Sequence, residues 1–276
     1  MYEKKSYLPF LLLIPSLTVI IVLYLFPLLR SVYRSFLDKH GELTVSNFEK
    51  VYRLYSIDII FSVAVSVASL ILVALLSIAL ASYLRFESAN RFSRWLGALY
   101  RIPLFIPFLV VGQLMRTFLA PHGLMNNILA YGHLVNLETP PNFINWKGLI
   151  ISFVWKQFPF ATLLVLGGFR SIDDSYIESA QDLGAGRLKI TYQILTPMAL
   201  PTIIVAMILT FVSTVSALTV PLMMGGSKPV MMTVDMAFRI TYFGDYGVAN
   251  ALGVISYVIV IVISIYYLKR VVETET

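Results

Sequence analysis

Cysteine is missing from all 276 residues, which removes disulfides, thiol nucleophiles and thiolate metal sites together. Charge is scarce: Asp, Glu, Lys and Arg make up 13% of the chain. Histidine occurs only at His40, His122 and His133, at spacings that no zinc site uses, so no metal site is expected. A nucleotide-binding loop needs a glycine-rich turn ending in Gly-Lys-Ser or Gly-Lys-Thr, and no stretch supplies one. Gly225-Gly226-Ser227-Lys228-Pro229 has the wrong order. No span carries clustered acids or histidines, so the chain reads as no enzyme, with no cofactor of its own.

Apolar residues fill the space these absences leave, at 58% of the chain and a mean hydropathy of +0.80. A soluble domain cannot keep that much apolar surface from water, so lipid is its solvent. A hydrocarbon core about 30 Å thick takes about 20 helical residues to cross. Six segments meet that test, at about residues 8–29, 59–84, 96–118, 148–169, 201–223 and 248–268. The expected fold is all-α: a polytopic membrane protein of about six transmembrane helices, residues 1–276 forming one domain. Arg101, Arg116 and Lys156 interrupt the third and fourth segments, and charge at that depth faces protein or water.

The net charge of +6 serves topology and anionic lipid headgroups before nucleic acid, which is not an expected partner. Lys4 and Lys5 precede an apolar run longer than a signal-peptide core and without a small-residue cleavage pattern, which reads as a retained first helix. With both termini inside, Lys4, Lys5, Arg85, Arg91, Arg94, Arg170, Arg187, Lys189, Lys269 and Arg270 lie on the cytoplasmic side. Arg30, Arg34, Lys39, Lys50, Arg53, Lys147, Lys228 and Arg239 lie outside, so the bias has the right sign. The compact cluster from Arg85 to Arg94 is its best support.

Most connections look ordinary, with turn residues such as Pro140-Pro141-Asn142. The inner loop at about residues 170–200 differs, because two short helical patterns flank Gly184. Ser175 can cap the first, with Glu178 three residues on as in a capping box. Ile177, Ala180 and Leu183 then share one face, with Glu178 and Asp182 on the other. Gly184 permits the left-handed backbone that ends such a helix, residues 187–195 form the second helix, and Pro197 with Pro201 restarts the chain into the next span. A short amphipathic helix of this kind suits docking into a partner's groove or resting on lipid headgroups, and periodicity alone leaves both open.

Glu178-Ser179-Ala180, then Gly184, Ile194 and Pro197, resembles the EAA loop of binding-protein-dependent ABC permeases, the MetI-like family. That pattern is Glu-Ala-Ala, three residues, Gly, nine residues, Ile, one residue, Leu-Pro; Ser179 replaces an Ala and Thr196 the Leu. Gly123-Leu124-Met125-Asn126-Asn127, Trp155, Pro159 and Met224-Gly225-Gly226 also look familiar. The resemblance implies an importer permease in the bacterial inner membrane, whose coupling helices sit in a cleft of the ATPase. Glu178, Ser179, Ala180, Asp182, Gly184, Ala185, Ile194 and Pro197 are then the coupling residues. It further implies two ATPase subunits that bind ATP and magnesium, a second permease (a paralogue or a second copy), and a periplasmic or lipid-anchored solute-binding protein.

Polar residues inside spans are costly in lipid, which makes Lys156, Gln157, Thr210, Ser213, Thr214 and Ser216 candidates for the translocation pathway. Helix-internal hydroxyl bonding is the competing role for the Ser and Thr residues, and pairing or snorkelling for Lys156. Asp235, Arg239, Asp245 and Asn250 suit an outer gate or docking face, or solvated loop charge. Met223, Met224, Met231 and Met232 suit an adaptable gate or core filling. The wording of residues 182–185 and 221–226 resembles the polyamine and ferric-ion branch, whereas residues 155–160 and 243–251 suit a sugar permease as well. A secondary transporter is the alternative from another class.

Overall fold

A computed structural model describes residues 8–87, 90–226 and 228–275; Lys4 and Lys5 lie outside them. The elements run α1 (Leu8–Ile20), a π-helical turn (Ile21–Leu25), α2 (Phe26–Ser35), α3 (Ser46–Phe86), α4 (Arg91–Leu99), a 3-10 turn (Ile102–Phe105), α5 (Phe108–Phe118), α6 (Leu124–Tyr131) and α7 (Trp146–Arg170). They continue with α8 (Asp174–Asp182), α9 (Arg187–Ile190), a second π-helical turn (Thr191–Leu195), α10 (Thr196–Met198), α11 (Leu200–Val215), α12 (Thr219–Met224), α13 (Met232–Thr241) and α14 (Tyr246–Glu275). The fold is all-α, as the apolar pattern requires.

Among the described residues four helices are long and apolar enough to cross a bilayer alone: Leu12–Ser35, Ser46–Phe86, Trp146–Arg170 and Tyr246–Tyr267. The third and fifth expected spans are bent. Arg91–Phe105 meets Phe108–Phe118 at 106°, and Arg187–Met198 meets Leu200–Val215 at 78°, so the count reaches six if each bent pair is one span. Pro103 and Pro107 account for the first break: Pro107 has no N–H to continue the helix, and it disfavours helical backbone at Ile106, which is extended at ψ 120°.

The two π-helical turns share a cause. Each is followed at once by one residue and a proline, Phe26-Pro27 and Thr196-Pro197, and the N–H of that one residue reaches back five positions, to Ile21 and Thr191. A proline ring collides with the carbonyl four residues back in a regular helix, and the wider turn relieves that collision. Pro197 therefore does not restart the chain, which corrects the expectation from sequence. The helix passes through it and bends at Ala199.

The chain divides into two compact units, residues 1–56 with 235–258, and residues 57–234 with 259–276. In the first, Asn47 donates to the carbonyls of Ser35 (3.0 Å) and Leu37 (2.8 Å), and Ser31 bonds Asn250 at 2.7 Å. Arg239 donates to the Tyr55 hydroxyl (2.6 Å) and pairs with Asp245 (3.4 Å). The charges expected to be solvated are thus tied inside this unit. Asp38 closes the 38–42 turn by accepting from the N–H of Glu42 (2.9 Å) and of His40 (2.8 Å), and the Glu42 bond above all holds its carboxyl below the usual value.

The second unit is built around α7, whose most apolar stretch is 56% buried, against none for the first span. One core cluster joins the end of α3 (Ala81, Leu84) to α7 (Val165, Phe169), Ile177 of α8, Ile190 of α9 and Ile203 of α11. The other joins Val65, Val111, Met115, Leu149, Phe153 and Val220 with Met224 and Met231. Those two methionines fill core, and buried Met232 lies beside them in the chain. Gly112 lets α5 close on α12, since a Cβ there would stand 2.8 Å from that of Met223.

Candidate coupling loop and translocation residues

Residues 170–200 form the small folded unit their pattern suggested, with corrected ends. The cap of α8 is Asp173, not Ser175: its side chain accepts the Ser175 N–H at 2.8 Å. The Ser175 hydroxyl, and then that N–H, hold the Asp173 carboxyl below its usual value. At the other end Gly184 has φ +79°. Its N–H bonds the Gln181 carbonyl (2.8 Å) and the Ala185 N–H bonds that of Ala180 (2.9 Å), the paired closure of a left-handed helix stop.

The faces of α8 follow from its packing. Ile177 is buried, with Ala180, Ala185 and Ile194 against the same core. Leu183 does not join that face and is 88% exposed, because the chain turns outward one residue before Gly184. Glu178, Ser179, Asp182, Gly184 and Pro197 are exposed, and Tyr176 and Leu188 stand beside them. The eight expected coupling residues therefore divide into an outward set and a supporting set of Ala180, Ala185 and Ile194.

The end of α3 holds this unit through residues whose role the sequence reading did not find. Arg85 donates to the carbonyls of Phe169 (3.0 Å) and Ile172 (3.1 Å) and pairs with Asp174 in the first turn of α8. Two residues on, Glu87 pairs with Arg187 at 2.6 Å, beyond the far end of α8. The 170–200 unit is clasped on both flanks of α8 by ion pairs of opposite polarity. Arg85 had been visible only as a topology signal; its place one residue before the end of a span was the available clue.

The expected pathway residues each have a definite place in the fold. Lys156, 7% exposed, donates to the carbonyls of Pro103 (2.8 Å) and Ile106 (2.7 Å) with its ammonium 4.9 Å from the Phe108 ring centre. It supplies a donor to the Ile106 carbonyl at the bend between α4 and α5 and adds a second to the Pro103 carbonyl, which also accepts the Ile106 N–H at 3.4 Å. Gln157 donates to Ser213 at 2.6 Å, joining α7 to α11. Thr214 bonds the Thr210 carbonyl within α11 (2.8 Å), whereas the buried Thr210 hydroxyl has no hydrogen-bond partner. Ser216 is exposed at the end of α11. Arg116 reaches the Met223 carbonyl at 3.2 Å.

About seven turns before Arg85 on α3, Asp58 accepts the Val230 N–H (2.9 Å) and pairs with Lys228 (3.3 Å), while Ser62 accepts the Met232 N–H (2.8 Å). These bonds hold the loop after α12 beside a cleft of about 440 Å³ lined by Phe61, Trp146, Leu149 and Gly226 among others. Asp58 escaped notice because it precedes the apolar run by one residue. Asn126 donates to the carbonyls of Pro121 and Pro141, both at 2.9 Å, which gives the 123–127 motif a role in fixing its loop. Among the described residues no group of His, Asp and Glu is placed to hold a metal ion.

The architecture is that of a polytopic helical membrane protein with a short, doubly clasped amphipathic helix ahead of the second bent pair. Residues 74–275 match the family described as binding-protein-dependent transport system inner membrane component, and the chain belongs to that family of ABC importer permeases. The trehalose/maltose transport system permease protein MalF of Thermococcus litoralis is 27% identical over 96% of this chain and 94% of its own. The spermidine/putrescine transport system permease protein PotB of Haemophilus influenzae is 25% identical over 98% of this chain and 94% of its own. A solved structure of a bacterial ABC transporter involved in import of the acidic polysaccharide alginate superposes with a TM-score of 0.79 at 21% identity, covering 97% of this chain and 96% of that one.

Proposed function

We propose that this permease couples the passage of a small polar solute to ATP hydrolysis in two separate ATPase subunits through α8 and the helix that follows it. Residues 1–276 act as one permease domain paired with a second permease, either a paralogue or another copy. A periplasmic or lipid-anchored binding protein delivers the solute, and both termini face the cytoplasm. ATP and magnesium belong to the ATPase subunits. The reading rests on the division of α8 into a buried face at Ile177 and an exposed face at Tyr176, Glu178 and Leu183. That is the geometry of a helix offered to a partner's groove.

The solute is a polyamine, a metal-ion complex or a related compound, in keeping with residues 221–226 and with the Haemophilus relative. A sugar is the second reading, favoured by the Thermococcus relative over a similar length. Gln157, Thr210, Ser213, Thr214 and Ser216 offer neutral polar groups for either, and Lys156 sits beside them in sequence with its charge turned toward main-chain carbonyls.

Reconstitution with the neighbouring ATPase tests the coupling role. The parent chain is expected to co-purify with the ATPase and support ATP-dependent uptake, and Gly184→Pro to lose both. Normal uptake by that variant overturns the assignment of α8, and uptake by the purified chain alone in liposomes favours a secondary transporter. Ligand-stabilisation scans of the binding protein, with polyamines, ferric complexes and oligosaccharides in parallel, decide the solute.

A further inference from the structure

At the end of the second unit that carries α8, the amphipathic helix α4 stands against α3 and α7 around a cleft of about 220 Å³. Three arginines line it, Arg94 and Arg101 on either side of Gly97 and Arg170 at the end of α7, together with Ser93, Leu84 and Leu166. Among the described residues no carboxylate lines this cleft. The acids nearest in the chain are engaged elsewhere: Glu87 with Arg187, Asp174 with Arg85, and Asp173 as the cap of α8, where it accepts the Ser175 N–H. All three arginines are exposed. Arg101 has Tyr100 as a neighbour, its guanidinium 5.5 Å from the ring centre, and that contact leaves its charge uncompensated.

Such a cluster wants an anion with several acceptor oxygens, which a phosphate group supplies. The surroundings say where the phosphate comes from. Trp95 lies beside Arg91 and Arg94 around a second, shallower depression and is 64% exposed, with Phe92 at 63%, Leu99 at 52% and Ile102 at 50%. Exposed aromatic and aliphatic side chains interleaved with arginines, at the end of membrane-spanning helices, meet headgroups and the first methylenes of acyl chains together. A free phosphate uses the arginines and leaves the apolar residues in water; a phospholipid uses both. We propose that Arg94, Arg101 and Arg170 form a binding site for the phosphate headgroup of an anionic phospholipid, whose acyl chain lies along Trp95 and Leu99. The site adjoins the α3 end that clasps α8, since Leu84 lines it and Arg85 is the next residue. The proposal needs only that the chain spans a membrane, and it stands or falls apart from the coupling role of α8.

The experiment uses the full chain in nanodiscs. Trp146→Phe and Trp155→Phe leave Trp95 as the sole tryptophan, since the chain has three. Trp95 fluorescence is read as brominated phosphatidylglycerol or brominated phosphatidylcholine replaces the unbrominated lipid at equal mole fraction. Stronger quenching by the glycerol lipid is expected. Each of Arg94→Gln, Arg101→Gln and Arg170→Gln should weaken that preference by about fivefold, the share of one cation at an anionic surface, and Lys269→Gln should leave it unchanged. Equal quenching by both lipids in the parent overturns the site. Losses in the three variants no larger than in Lys269→Gln also overturn it, because the attraction is then diffuse. Excess inorganic phosphate at constant ionic strength should reduce the preference by competing for the same arginines, and a preference that it leaves untouched overturns the phosphate group as what the site holds.

Discussion

At Lys156 two descriptions of one side chain lead to different measurements. A pathway lysine would set solute preference, whereas one bonded to the carbonyls of Pro103 and Ile106 would set stability. Lys156→Met leaves the part-buried Ile106 carbonyl without its lysine donor and strips the buried Pro103 carbonyl of one of its two donors, at about 1–3 kcal/mol in all. Thermal unfolding in detergent is expected to register that loss while the solute preference of the assembled importer stays unchanged. Gly184→Val adds a β-branched side chain at φ +79°, where a Cβ would meet nothing within 4 Å. Its cost is therefore conformational, about 1–2 kcal/mol, and should appear as faster amide exchange over residues 180–185 and weaker solute-stimulated ATP hydrolysis. Gly184 was legible in the sequence, because a helix stop demands little beyond one residue free to turn left. The cap was not: Asp173 and Ser175 are both good caps two residues apart, and the choice rests on where α7 releases the chain after Arg170. The Asp173 carboxyl is held below its usual value, so its contribution to α8 is complete above about pH 4 and is lost as pH falls through the depressed value. Exchange over residues 174–182 should be flat with acidification until then, once corrected for intrinsic rates, and Asp173→Ala should abolish the acid step.

Among elements, the clasp on α8 separates strong ties from weak ones. Asp174 is 70% exposed and Arg187 61%, so their ion pairs contribute under about 1 kcal/mol each. Arg85 is only 15% exposed at its side chain and also bonds two main-chain carbonyls, and charged hydrogen bonds of that kind contribute about 1.5–3 kcal/mol. Arg85→Ala is accordingly expected to loosen α8 and uncouple ATP hydrolysis from uptake, while Asp174→Ala and Arg187→Ala leave uptake within about twofold. Equal losses in all three would show that the ion pairs, and not the carbonyl bonds, hold the helix. The apolar runs made most of the elements legible, and the 106° and 78° bends were the part that hydropathy could not register. Hydropathy averages over residues whether or not they share an axis, and Pro103, Pro107, Pro197 and Pro201 were each compatible with a kink, a stop or a widened turn. The partner that makes a bend tolerable in lipid, Lys156, lies some fifty residues away in sequence, beyond the reach of any local pattern.

At the scale of the molecule, two relatives match nearly end to end, one named for trehalose and maltose transport and the other for spermidine and putrescine transport. The bundle is thus a frame shared by permeases named for different solutes. One element of that frame has a length that matters. α3 runs without a break from Ser46 to Phe86, about 60 Å at 1.5 Å per residue, twice a hydrocarbon core of about 30 Å. Its bonds to the loop after α12, at Asp58, and to α8, at Arg85, are separated by roughly 40 Å of helix, about the distance between the two headgroup layers. A stiff rod fastened at both surfaces turns bilayer thickness into a working variable. In a thinner membrane α3 must tilt, and the tilt displaces both fastenings at once. Uptake in vesicles of graded acyl-chain length should therefore pass through a maximum, and Arg85→Ala, with one fastening released, should flatten it.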